Sequence, residues 1–232
     1  MDFEPNIIYE DNHVLVILKP QNVAVQEDES KDDDLLNLLK NYIKVRDNKP
    51  GNVYLGLVHR LDRPTGGVMV FAKTSKSASR LTEQLKSHVM KKSYVCVVVG
   101  VPEKQSGRLK AYLQKDEKTN TVRLATASDY GAKEAILDYE VISSKLGYSL
   151  VAVELLTGRS HQIRVQMSKQ NKTVIFGDFK YGDKTHKSNL ALWAYKLKFE
   201  HPTTKKQMQF VSLPNVEVVP WKNFSKELEK LI

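Results

Sequence analysis

One cysteine in 232 residues, Cys96, lies inside the apolar run YVCVVV, so the chain has no internal disulfide and no cysteine-rich metal site. A reducing compartment fits that usage. The six histidines are scattered without the spacing of metal ligands, which argues against a zinc or iron centre. No apolar run approaches the length needed to cross a bilayer. The opening MDFEPNIIYEDN is acidic and lacks the basic-then-apolar order of a secretory signal. A soluble protein of the cytoplasm, with no membrane partner, is therefore expected. Internal repeats, low-complexity linkers and long Pro/Gly-rich hinges are also missing, so one domain over residues 1–232 is the simplest organisation.

What is present in excess is positive charge, and it is unevenly spread. The net charge is +9. Residues 1–50 hold 11 acidic against 6 basic side chains, whereas residues 72–123 hold 12 basic against 4 acidic ones. That concentration points to a polyanion such as RNA, the alternative being a lysine-rich solvated surface.

The patterning is mixed. IIYEDNHVLVILKP predicts two short strands turning at Asp11 and Asn12. Leu35, Leu36, Leu38, Leu39, Tyr42 and Ile43 predict a helix begun by Asp32 to Asp34. GVMVFAKT is β-rich, and Ser75 or Ser77 is the expected cap of a following helix with Ala78, Leu81, Leu85 and Val89 on one face. KSYVCVVVG, ILDYEVISS and YSLVAVELL read as strands, the polar stretch from Pro102 to Thr126 as hairpin or loop, and LALWAYKLKFEHPTTKKQMQFVSLP as a hairpin turning at Pro202 to Lys206. SHQIRVQMS fits alternation and helical spacing alike. A short helix capped by Ser160 is favoured. Hairpins outnumber crossovers, which gives an α/β (α+β) class on a mainly antiparallel sheet flanked by helices.

The chemistry concentrates in HRLDRPTGG, residues 59–67, where Asp62 stands between Arg60 and Arg63 in a turn-forming context. Flanking arginines favour an ionised carboxylate, and a carboxylate on a loop can act as a nucleophile. An isolated R-x-D-R would more simply be a surface ion pair. In TGRSHQIRVQMS, Arg164 is interleaved with apolar residues, and a buried guanidinium needs a carboxylate. Asp62 is one candidate partner and any other acid or carbonyl is another.

HRLDRPTGGVMVFAKT, KKSYVCVVVG, LLTGRSHQIRVQMS, FGDFKYG and the LPN-ended final hairpin, taken in this order, resemble the RluA family of RNA pseudouridine synthases. The resemblance implies that family's fold, a bent, mainly antiparallel sheet, and isomerisation of selected uridines of rRNA or tRNA without metal or organic cofactor. It implies that Asp62 is the catalytic aspartate, Tyr94 the active-site tyrosine and Arg164 the arginine paired with the aspartate. For a uridine flipped out of its stack, Arg60 is the candidate to fill the vacated space. Lys73, Lys91 and Lys92 are candidate phosphate contacts, with a solvated surface as the alternative. His59 and His161 are expected to shape their loops. The acidic segment QNVAVQEDES and Trp193 depart from the family pattern. Residues before Ile7 are too few for the S4-type RNA-binding domain of many relatives, and a monomer is the default. A non-catalytic RNA-binding protein of the same fold is the main rival, and a glycoside hydrolase would need a second positioned carboxylic acid.

Overall fold

The computed structural model describes residues 3–27 and 32–232, so part of the acidic QNVAVQEDES segment lies outside it. In chain order the elements are β1 (Asn6–Glu10), β2 (Val14–Lys19), α1 (Leu35–Arg46), β3 (Gly56–Leu57), β4 (Gly66–Ala72), α2 (Ser75–Lys86), β5 (Lys91–Val99), β6 (Ser106–Asp116), β7 (Thr121–Ala125), β8 (Lys133–Lys145), β9 (Tyr148–Leu155), α3 (Gln162–Lys169), β10 (Leu192–Glu200), β11 (Gln207–Val211) and α4 (Ser225–Glu229). Strand outweighs helix, as hairpin-rich patterning predicts. The chain divides into two units, Met1–Lys91 with Ala194–Ser212, and Lys92–Trp193 with Leu213–Ile232.

In the first unit, Asp11 makes the first turn. Its carboxylate accepts the amides of His13 at 2.7 Å and Val14 at 2.8 Å, which reverses the chain so that β1 and β2 pair antiparallel. The strand order is β1-β2-β4-β10, with β11 on β10 and β3 on β4. Alternation sends Val14 and Val16 of β2 and Val68 and Val70 of β4 into one core, joined by Leu81 of α2 and by Leu197 and Phe199 of β10. Helix α1 buries Leu35, Leu39 and Ile43, one stripe at four-residue spacing. A 12-residue helix is marginal alone, and these three side chains, each worth about 1.5–3 kcal/mol when buried, hold it. Asp34 caps it by accepting from the Asn37 amide. Helix α2 is capped by Thr74 rather than Ser75 or Ser77. Thr74 keeps an extended backbone and accepts from the Ser77 amide, whereas both serines are already helical. The β10–β11 turn is pinned by His201, whose Nδ1 accepts from the amides of Thr203 and Thr204 while Nε2 meets the Asp11 carboxylate at 2.8 Å.

In the second unit the order is β5-β9-β8-β6-β7, with antiparallel pairings throughout. The lysine-rich stretch forms the β6–β7 hairpin, closed where the Asp116 carboxylate accepts the amides of Lys118 and Thr119. Leu113, Val122, Ala135, Val165 and Tyr181 form a small core. Helix α3 buries every residue from Gln162 to Met167, so no polar face exists to reveal its period. Ser160 does not cap it. His161 takes the cap position in a left-handed conformation, φ 50°, and the Gln162 side chain accepts the Arg159 amide at 3.0 Å instead.

Candidate active site

Asp62 belongs to the first unit, in the turn between β3 and β4. Its carbonyl accepts the Thr65 amide at 2.9 Å, closing the turn, and its side chain is half-buried. What fixes this turn is Lys19, the last residue of β2, which is completely buried. The antiparallel register of β2 and β4 sets Lys19 opposite Gly67, and the ammonium donates to the carbonyls of Pro20 at 2.8 Å, Arg63 at 3.0 Å and Thr65 at 2.8 Å. Gln21 adds a bond to the Pro64 carbonyl at 2.9 Å. Burial pushes the Lys19 pKa down to about 7, against the opposing pull of the Asp62 charge. Gly67 is obligatory, because its φ is 128° and a Cβ there would stand 2.3 Å from the Ala194 carbonyl oxygen.

The Arg63 guanidinium binds Asp32 at 2.7 Å, and Arg60 is exposed. The Lys19 charge couples to that of Asp62. The buried His59 braces the loop, accepting the Val70 amide on Nε2 at 3.2 Å.

Tyr94 and Arg164 belong to the second unit. Tyr94 is buried on β5, and Lys92, two residues earlier, points to the same face. Arg164 pairs with the Asp178 carboxylate. Nε donates to Oδ2 at 2.9 Å and the terminal NH2 to Oδ1 at 2.7 Å, a bidentate pair with both side chains buried. The guanidinium also lies 5.0 Å from the Tyr181 ring centre. The Tyr181 hydroxyl accepts the Val122 amide at 2.9 Å and meets His161 Nδ1 at 2.6 Å. Asp178 and Tyr181 come from FGDFKYG, a motif that sequence reading singled out without giving either residue a role. Its backbone is tight: at Gly177, φ is 75° and a Cβ would approach the Asn189 carbonyl oxygen to 2.5 Å.

The three candidate phosphate lysines separate. Lys73 is committed to Glu10 at 2.5 Å, and Arg46 binds the same carboxylate. Lys91 is exposed and Lys92 is half-buried. Among the described residues, no group of three or more His, Cys, Asp or Glu is arranged to hold a metal ion, and no helix is long and apolar enough to cross a membrane.

Residues 13–169 match the family model described as RNA pseudouridylate synthase, a span that contains Asp62, Tyr94 and Arg164. The chain is 34% identical over 221 residues to the ribosomal large subunit pseudouridine synthase D of Zymomonas mobilis, covering 90% of this chain and 69% of the relative. Against the protein of the same name from Borreliella burgdorferi, identity is 32% over 230 residues, 96% of this chain and 69% of the relative. The fold is similar to that of human RNA pseudouridylate synthase domain containing 4, with a TM-score of 0.76 at 24% identity over 97% of this chain and 93% of that one. With its model matched over more than half the chain and its named members sharing about a third of the residues, the RNA pseudouridylate synthase family, a family of RNA isomerases, is the one to which this chain belongs.

Proposed function

We propose that this chain converts selected uridines of ribosomal RNA to pseudouridine, acting as a single cytoplasmic catalytic domain over residues 1–232, monomeric and with side chains alone. Transfer RNA is the second substrate class. The observation that carries this reading is the turn at Asp62, held by a buried ammonium donating to three carbonyls, which presents one half-buried carboxylate on a rigid support.

In this reading Asp62 works at C1′ of a uridine flipped from its stack. Attack on C1′ breaks the C1′–N1 bond and releases the uracil as an anion. The ring turns, C5 bonds to C1′, and the carboxylate leaves. Loss of the C5 proton and protonation of N1 complete the isomerisation. On the other route Asp62 takes the C2′ proton, giving a glycal, and returns it after C5 has joined. Tyr94 stacks on the uracil, and its hydroxyl assists removal of the C5 proton. Arg164, braced by Asp178, supplies the fixed positive charge that keeps the working carboxylate ionised. The exposed Arg60 takes the space the base has left, and Lys91 and Lys92 meet phosphates.

Mapping pseudouridines across cellular RNA with and without the gene tests the proposal. The expected outcome is the loss of one or a few ribosomal sites, restored by the wild-type gene and not by Asp62→Asn. An unchanged map would favour a non-catalytic RNA-binding protein of the same fold.

A further inference from the structure

We infer that Lys92 and Gly158 form a subsite for a backbone phosphate of the RNA beside the target uridine. The inference rests on the pseudouridine synthase reading and deepens it. Lys92 and Tyr94 share one face of β5, about 7 Å apart along the strand, a spacing comparable to that between a nucleotide's base and its own phosphate. Gly158 follows β9 in the TGRSH segment. A methyl group on its Cα would sit 3.0 Å from Lys92 Nζ, its one contact within 4 Å among the described residues beyond its own chain neighbours, so the ammonium stands over a bare backbone.

The charge is unmatched there. Lys19 is held by three carbonyls, Lys73 by Glu10 and Arg164 by Asp178. Among the described residues Lys92 has neither hydrogen bond nor ion pair, and burial alone holds its pKa below the ordinary lysine value. An ammonium that has lost much of its water and gained no partner is completed by an anion. RNA brings one with each nucleotide, whereas the uracil ring is neutral before the reaction. The next residue, Arg159, gives its Nε to the Glu134 carbonyl at 2.8 Å and is exposed, which adds positive charge on the same segment.

The test uses the full chain carrying [13Cε]lysine, with the Lys92 resonance assigned by its loss in Lys92→Gln. Uridine 5′- and 3′-monophosphate and inorganic phosphate are the probes, and uridine is the uncharged control. Either monophosphate is expected to shift the Lys92 resonance and raise its titration midpoint, with uridine leaving both unchanged. Gly158→Ala, whose backbone tolerates a side chain, displaces the ammonium and weakens that response while Lys92 still titrates. With RNA, Lys92→Gln raises KM about tenfold with kcat within twofold, and Lys92→Arg restores most of the loss. No response to either monophosphate, or an equal response to uridine, overturns the subsite. If the wild-type protein forms no pseudouridine yet responds to the monophosphates, the enzymatic reading fails and the phosphate site stands. A modifying enzyme with Lys92→Gln at the wild-type KM overturns the subsite alone.

Discussion

Lys19 and Asp62 are joined through one turn: the Lys19 ammonium donates to the carbonyls of Arg63 and Thr65, and the Thr65 amide donates back to the carbonyl of Asp62. Removing the ammonium leaves three carbonyls without their donor, at about 1–3 kcal/mol for each one left buried and unsatisfied. Lys19→Met is therefore expected to destabilise the protein by about 3–5 kcal/mol in urea denaturation and to reduce kcat in the folded fraction. A variant with wild-type stability and kcat would make Lys19 dispensable to the turn.

The same lysine gives a pH signature. Its folded pKa is pushed down to about 7 from an ordinary 10.5, so between those values the unfolded chain binds more protons than the folded one. Stability from this group therefore rises with pH across that window, is fully present above about 10.5, and is lost as pH falls through about 7, with a slope approaching about 1.4 kcal/mol per pH unit. Urea midpoints of wild type and Lys19→Met, compared from pH 6.5 to 9, isolate the contribution. Parallel curves would mean that Lys19 keeps an ordinary pKa.

Asp62→Asn keeps the size and most of the polarity of the side chain and removes its charge and nucleophilicity. Pseudouridine formation, followed by tritium release from RNA labelled at C5 of uridine, is expected to fall at least about 10^4-fold. RNA affinity should stay within about twofold. Substantial turnover in this variant would remove Asp62 from the mechanism.

Asp178 holds Arg164 by two hydrogen bonds in a buried pair, and Asp178→Ala removes both together with the negative charge facing the guanidinium. The expected cost is about 3–5 kcal/mol of stability. Arg164→Lys cannot reproduce the fork, so it tests orientation with charge retained, and a fall in kcat of about 10^2-fold is expected with the fold intact. Wild-type kcat in Arg164→Lys would reduce the arginine to a point charge.

These residues differ in how far the sequence reveals them. The turn that carries Asp62 is legible because it is local: the turn residues, the carboxylate and the arginines lie within nine positions. Strands β2, β4 and β5 are legible because burial on both faces leaves a continuous apolar run. Helix α3 is ambiguous because it is buried all round. Lys19 looks like the polar end of a strand, and only the register of β2 on β4 reveals that its ammonium reaches carbonyls 44 and 46 residues away. Asp178 is hidden in the same way, since its partner lies 14 residues back on α3 and no local pattern links them.

The three lysines that sequence charge groups together are expected to part in their salt dependence. Each phosphate contact to single-stranded RNA contributes about 0.7 to the slope of log affinity against log salt. Lys91 is exposed and Lys92 lacks a partner among the described residues, so neutralising both to Gln should flatten the slope by about 1.4. Lys73 already faces Glu10, and a phosphate would have to displace that carboxylate. Lys73→Gln is expected to leave the slope unchanged and to lower stability by about 1 kcal/mol, the upper end for an ion pair that solvent still reaches. Fluorescence anisotropy of a labelled uridine-rich RNA across a salt series separates the outcomes. A slope that falls equally for all three lysines would return Lys73 to the RNA-facing surface and give its pair with Glu10 no role in the bound state.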